Sequence, residues 1–181
     1  IRLAGSPREI GTLWGEINGG AIHTDMEALF LRPARERGLT PETLVERSRR
    51  FSEIAEAAAP HWLEEAHAIA QAAGVDGALY VAFIAGVYRG LFLHEEDGPA
   101  APAACEDECT SYTIARSETV DNALFFHKTR DNVARAQSAF VTRSSAPGVH
   151  AFIAVSDASV LTTMMMVNER GLSGSADMTG L

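Results

Sequence analysis

The chain of 181 residues has only two cysteines, Cys105 and Cys109, and its six histidines are spread along the sequence. Two cysteines are too few for a disulfide scaffold. Their C-x3-C spacing resembles half of a zinc site, but no second Cys or His pair follows at ligand spacing. We therefore expect no metal and no cofactor, and we expect the protein to work in a reducing, cytoplasmic setting.

Basic residues and long apolar runs are also scarce. Fifteen Lys and Arg residues stand against 24 Asp and Glu residues, which gives a formal net charge of -9. Such a chain has no electrostatic attraction to nucleic acid or to anionic membranes. The longest apolar stretch, residues 78–87, is too short to span a bilayer. We therefore expect neither nucleic acid nor a membrane as a partner.

Helical patterns dominate the first half of the chain, after a glycine-rich start. The glycines near Ile10 and Trp14 are typical of turns and predict a short strand or two there. A helical pattern begins at Asp25. The next helix begins at Thr40, which suits an N-cap, and it bends near Pro60. The pattern predicts that this helix ends at Gly74. It also predicts a third, almost wholly apolar helix over residues 76–93.

The composition changes in residues 94–108, which contain six acidic residues and no Lys or Arg. This stretch predicts an exposed linker. Strand-like runs follow it, at 110–115, 123–129, 137–142, 149–155 and 161–167. Helices in one half and strands in the other indicate an α+β fold. We therefore divide the chain into a mainly helical segment (1–93), the linker (94–108) and a β-rich segment (109–181).

Cys109 opens the first of these strands, and Lys128, Arg130 and Asp131 return near it if the first two strands form a hairpin. A thiol becomes a nucleophile when it has a base, a nearby cation and an acceptor that orients it. Because side chains alternate along a strand, Lys128 and Arg130 lie on one face and Asp131 lies on the other. The strand must therefore bend to bring the positive and negative side chains to one site. The alternative is a half-buried thiol beside an Asp131 that pairs with a nearby Arg.

These residues resemble a known family. The run 109–112 (Cys-Thr-Ser-Tyr), followed by 127–132 (His-Lys-Thr-Arg-Asp-Asn), is similar to the acyl-CoA:6-aminopenicillanate acyltransferase family, also called peptidase family C45. Residues 5–11 and 63–74 resemble the entry segment and long helix of that family. Residues 168–172 (Asn-Glu-Arg-Gly-Leu) resemble its N-E-x-G-L turn. The family belongs to the N-terminal nucleophile (Ntn) hydrolases.

The resemblance implies an αββα sandwich and a precursor that cuts itself between Glu108 and Cys109. The freed α-amine of Cys109, with an ordinary pKa near 8, would then serve as the base for its own thiol. Asp131 matches the family aspartate that binds and orients this amine. Lys128 stands where related enzymes have Arg, and its cation would favour the thiolate; the alternative is a solvated lysine at the end of a strand.

Three further residues have less defined roles in this resemblance. Thr110 and Ser111 could donate to the scissile carbonyl, although both residue types are common in strands. Arg130 could contact substrate or simply pair with Asp131. No asparagine for the oxyanion hole can be assigned.

Two departures from the family pattern affect what we expect. Glu108 stands where many relatives have Gly, which bears on the rate of cleavage. The αββα sandwich also needs more than 181 residues, so we expect it to be incomplete in this chain. The remainder of the enzyme chain or a second subunit would supply the rest.

The leading functional hypothesis is an autoproteolytic amide hydrolase or acyltransferase that acts on a small-molecule amide or acyl substrate. Acyl-CoA is one candidate donor, although no Gly-rich phosphate loop supports it. The alternative hypothesis is a non-catalytic α+β module that binds a ligand or partner through its long helices. The Met164–Met166 run suits either an adaptable apolar pocket or a core strand.

Overall fold

The computed structural model describes residues 1–86, 109–129, 137–144, 149–161 and 165–175. Helices fill the first of these ranges after one short strand, and strands dominate the others, which confirms the predicted α+β class. A π-helical turn, Glu27–Leu31, joins the first two helices. The predicted linker (94–108) lies outside the described residues. The elements in chain order are β1 (Arg2–Gly5), α1 (Pro7–Met26), α2 (Arg32–Glu36), α3 (Pro41–Ala58), α4 (Pro60–Ala73), α5 (Gly77–Gly86), β2 (Thr110–Ile114), β3 (Phe125–Thr129), β4 (Gln137–Ser144), β5 (Phe152–Asp157), β6 (Met165–Asn168) and β7 (Ser173–Ser175).

The glycine-rich start of the chain is helical, so the strands predicted around Ile10 and Trp14 are wrong. The one strand there, β1, comes earlier. A capping box begins α1: the Glu9 amide donates to Ser6 Oγ at 3.3 Å, and the Ser6 amide donates to Glu9 Oε2 at 2.7 Å. Pro7 occupies the first helical turn, where its missing N–H costs nothing. These start signals and the packing of α1 outweigh the roughly 1 kcal/mol that each interior glycine costs.

Two of these glycines allow α1 to lie directly against α4. A Cβ atom at Gly11 would overlap the backbone carbonyl oxygen of Glu65. At Gly15 it would overlap the carbonyl oxygen of Ile69. Because backbone atoms cannot move aside as a flexible side chain can, the close approach of the two helices requires glycine at both positions.

The predicted boundaries of the next helices are confirmed. The Thr43 amide donates to Thr40 Oγ1 at 3.3 Å, which caps α3. The helix breaks at Ala59, and α4 restarts with Pro60 in its first turn. Gly74 ends α4 in the left-handed conformation, with φ +73°.

The third predicted helix is present as α5, as far as the described residues follow it. The Leu79 amide donates to Asp76 Oδ1 at 2.8 Å, which caps its start. Residues 80–83 are all buried, as an apolar helix of this kind requires. Within the described residues no single helix is long and apolar enough to cross a membrane. Only α4 and α5 together reach that length, across a bend of 115°.

The main sheet has the strand order β1-β4-β5-β6-β7, with β1 parallel to β4 and the other pairs antiparallel. One face packs on the helices through residues that include Leu3, Phe140 and Ala154. The predicted strands after residue 137 are confirmed with ends shifted by a few residues, and β7 was not predicted. Of the methionine run, Met165 and Met166 lie in β6, and Met166 packs against the core, as a core strand requires.

The centre of the opposite face of the main sheet is also apolar, whereas Arg2, Arg143, Ser173 and Ser175 lie on that face towards its edges. Val141, Ile153 and Val167 form one row across β4, β5 and β6, and Ala139, Val155 and Met165 form the row beside it. Ile153 is 50% exposed and Val167 is 42% exposed. A sheet that faces water on one side normally alternates apolar and polar residues, so an apolar centre on both faces is typical of a sheet that is covered on both sides.

Candidate functional site

The predicted hairpin is formed by β2 and β3. Its pairs run from Thr110↔Thr129 to Ile114↔Phe125, in the antiparallel direction. The chain reverses through a short 3-10 turn and through Asn122, whose φ of +53° suits an Asn in a turn. This confirms the predicted turn and brings the segment that begins at Cys109 beside the end of β3.

The register sorts the candidate residues by face. Ser111 pairs directly with Lys128, so these two side chains share one face of the hairpin. Continued by one residue, the alternation of β2 puts Cys109 on that face as well. Thr110 lies on the other face, where Thr129 Oγ1 donates to its carbonyl oxygen at 3.4 Å. Of the two tentative donors, Ser111 is therefore on the cysteine's face and the Thr110 side chain is not.

Burial distinguishes the residues of this face. Cys109 is a free thiol of intermediate exposure, and every residue of β2 is exposed. Lys128 is only 9% exposed, and it is the only lysine in the sequence. The register thus places a partly exposed thiol and a buried lysine on the same face of the hairpin.

The other face of the hairpin is held by an aromatic contact that the sequence did not predict. The rings of Tyr112 and His127 are stacked, with centroids 4.6 Å apart and planes at 20°. These residues are direct cross-strand partners. Such pairs contribute roughly 0.2–1 kcal/mol and favour one register over a shifted one. The contact therefore helps to fix Lys128 beside Ser111.

Three of the predicted site residues lie outside the described residues. Glu108 precedes Cys109, and Arg130 and Asp131 follow the last residue of β3. The predictions for these three residues therefore remain predictions. The structure pairs Ser111 with Lys128, and Cys109 lies one residue before β2, on the face of Ser111 by strand alternation.

A second feature, a cleft of about 250 Å³ between the helices and the main sheet, was missed in the sequence. Its polar wall consists of Glu65 from α4 and Thr142 from β4. The other lining residues are apolar: Leu3, Ile10, Trp62, Phe140, Phe152 and Leu161. Burial raises the pKa of Glu65 to about 7, because a carboxylate loses hydration in such surroundings.

Helical periodicity could have pointed to Glu65. Trp62, Glu65 and Ile69 follow one another at helical spacing on α4, so the carboxyl group lies in an otherwise apolar stripe. The adjacent Glu64 is different, because it lies at the surface and pairs with Arg8 at 3.5 Å. An isolated acidic residue in an apolar helical stripe is the sequence feature that could have identified Glu65 as a candidate site residue. The cleft itself depends on β1, β4 and β5, which sequence spacing does not place.

Glu65 should make stability depend on pH. Its folded-state pKa of about 7 lies above the ordinary 4.5, so the folded state holds a proton that the unfolded chain releases between these values. The contribution of the Glu65 carboxyl group to the free energy of unfolding is fully present below pH 4.5 and is lost as the pH rises to about 7. Glu65→Gln should match the wild type near pH 4.5 and exceed it above pH 7, by at most on the order of 3 kcal/mol.

Urea unfolding at several pH values would measure this difference. Glu64→Gln is the matched control, since Glu64 is exposed and should show no such trend. Nearby charges already have partners, because Arg8 pairs with Glu64, and Glu9, whose pKa is lowered, accepts hydrogen bonds from Ser6. A pH-independent gap between wild type and Glu65→Gln would contradict the prediction.

Within the described part of the chain, no three His, Cys, Asp or Glu side chains are grouped to hold a metal ion. A comparison with models of known protein families finds no match, and a comparison with curated protein sequences finds none either.

Proposed function

We propose that the protein is an autoproteolytic Ntn-type amide hydrolase or acyltransferase, similar to peptidase family C45, with Cys109 as its nucleophile. The observation that carries the proposal is the hairpin register. It pairs Ser111 with Lys128 and leaves the accessible Cys109 one residue before β2. In such an enzyme the nucleophile begins a strand, where cleavage of the preceding bond can make it an N-terminus.

Maturation would proceed in two steps. The Cys109 sulfur attacks the carbonyl carbon of Glu108, and the bond from that carbon to the Cys109 nitrogen breaks. The nitrogen leaves as an amine with a proton, and a thioester remains on sulfur. Water then cleaves the thioester, which gives a carboxylate on Glu108 and a free thiol and amine on Cys109.

The mature site would use the same atoms on a substrate. The α-amine of Cys109 accepts the thiol proton and returns it to the leaving amine, as a general base and then a general acid. The thiol forms an acyl-enzyme, and water or an acceptor amine takes the acyl group. In this proposal Asp131 orients the amine and Lys128 favours the thiolate. Ser111 donates to the reacting carbonyl.

Thr110 and Arg130 have secondary roles in the proposal. The backbone of Thr110, rather than its side chain, would lie near the reacting carbonyl, because its side chain is on the opposite face of the hairpin. Arg130 would bind substrate or pair with Asp131. The substrate is a small-molecule amide or acyl compound, with acyl-CoA as one candidate donor and no metal or cofactor in the reaction.

The apolar centre of the outer face of the main sheet supports a second β-layer, as in an αββα sandwich. Val141, Ile153 and Val167 would pack under that layer, which the remainder of the enzyme chain or a second subunit would supply. A cytoplasmic location, without nucleic acid or membrane as a partner, fits a thiol that must stay reduced.

Selective alkylation tests the nucleophile. The full chain is treated with less than one equivalent of iodoacetamide near pH 7, and the modified cysteine is identified by peptide mass mapping. We expect Cys109 to be modified well before Cys105, and modification to stop amide hydrolysis. Equal labelling of the two cysteines, or an unlabelled Cys109, would contradict the proposal and favour the non-catalytic binding module. For that module, a groove of about 440 Å³ lined by α3, α4 and α5 is one candidate surface in the described part of the chain.

A further inference from the structure

We propose that the cleft around Glu65 is a second binding site, which takes a small ligand that carries a protonated amine on an apolar, single-ring-sized body. None of its lining residues belongs to the β2–β3 hairpin, so the proposal does not depend on the function proposed for Cys109.

The carboxyl group of Glu65 is the charged feature of the cleft. Among the described residues, Glu65 has no hydrogen bond or ion pair with another side chain or with the backbone, whereas Glu64 beside it has Arg8. Glu65 is half-buried, and an unpaired charge in such surroundings loses hydration without compensation. An ammonium group is the partner that would supply both the opposite charge and N–H donors.

The shape and chemistry of its walls are the second feature of the cleft. The cleft is bounded by rings from three elements: Trp62 on α4, Phe140 on β4 and Phe152 on β5. Mostly apolar walls with one or two polar groups are typical of small-ligand sites. Aromatic rings also attract cations, Trp most strongly. The Thr142 hydroxyl offers one further polar contact. A ring or short alkyl chain that bears one amine therefore matches the site.

Binding of an amine should also change the protonation of Glu65. Burial raises the pKa of Glu65 to about 7, so a share of the carboxyl groups carries a proton near neutral pH. An ammonium ligand favours the ionised form, so its binding should release a proton and should tighten as pH rises through 7. No other residue that lines the cleft is titratable. On the elements packed around it, Arg8 and Glu9 already have partners in Glu64 and Ser6.

Benzylamine and its uncharged analogue benzyl alcohol are suitable probes, titrated into the full chain by calorimetry in two buffers of different ionisation enthalpy. We expect saturable binding of benzylamine with proton release near pH 7, and weaker binding of benzyl alcohol. Glu65→Gln should weaken benzylamine binding by roughly 10- to 100-fold, as expected for loss of a charged hydrogen-bond partner. Glu64→Gln should bind like the wild type.

Three results would overturn the proposal: no saturable benzylamine binding, equal affinity for the amine and the alcohol, or a Glu65→Gln variant that binds benzylamine within twofold of the wild type. Circular dichroism of Glu65→Gln confirms that a loss of binding is not a loss of folding. Cys109→Ala should bind benzylamine as tightly as the wild type. Failure of the proposal for the Cys109 nucleophile is therefore distinguishable from failure of the proposal for the Glu65 site.

Discussion

Replacing Cys109 with alanine is expected to leave the Glu108–Cys109 bond uncut and to abolish amide hydrolysis. Alanine provides no atom that can attack a carbonyl, so neither the cleavage step nor the acyl-enzyme can form. Loss of a covalent nucleophile typically lowers the catalytic rate by at least about a thousandfold. Intact-mass analysis of the full chain measures the cleavage, and release of amine from a panel of small N-acyl substrates measures the activity.

Two matched variants sharpen this prediction. Cys105→Ala removes the other thiol and should cut and hydrolyse like the wild type. Cys109→Ser retains a weaker nucleophile at the same atom position and should cut more slowly without losing the fold. A Cys109→Ala chain that is still cut between residues 108 and 109, or a Cys105→Ala chain that loses activity, would contradict the role given to Cys109.

The second large effect is structural and concerns Gly15. Gly15→Ala should destabilise the fold by about 2–3 kcal/mol, in the upper part of the range for overpacked cores. The new Cβ would overlap the Ile69 carbonyl oxygen and lie 2.8 Å from the Ala72 Cβ, so α1 and α4 must move apart. The higher helix propensity of alanine, up to about 1 kcal/mol, offsets only part of this cost. Urea unfolding measures the change.

Gly20 provides the matched control on the same helix. A Cβ atom there meets nothing within 4 Å, so Gly20→Ala should stabilise the fold by up to about 1 kcal/mol through helix propensity alone. The two alanine variants should therefore change stability in opposite directions. Equal stabilisation by both would show that α1 and α4 do not require the close approach at Gly15.

The contrast between these two glycines explains one failure of the sequence-based prediction. Glycine is common in turns and also where helices pack closely, and the sequence does not distinguish these uses. The capping box at Ser6 and Glu9 and the proline between them were the local signals for a helix. The close contact with Ile69 depends on a partner helix far along the chain, which local patterns do not reveal.

The hairpin was more predictable, because its information is local. Alternation and the turn signal at Asn122 indicate two strands that are neighbours in the chain, joined by residues 115–124. The face shared by Ser111 and Lys128 follows from the register of these strands. The burial of Lys128 was not predictable, since it depends on tertiary surroundings. The same is true of the Glu65 cleft, whose walls come from separate elements.

The central claim is that Cys109 becomes an N-terminal residue, and labelling of amines in the wild-type protein tests it most directly. Lys128 is the only lysine in the sequence, so reductive methylation of the denatured chain leaves few amines to assign. We predict two polypeptides that divide between residues 108 and 109, and a peptide that begins with Cys109 and carries the label on its α-amine. A single uncut polypeptide, with no labelled amine at Cys109, would contradict the account.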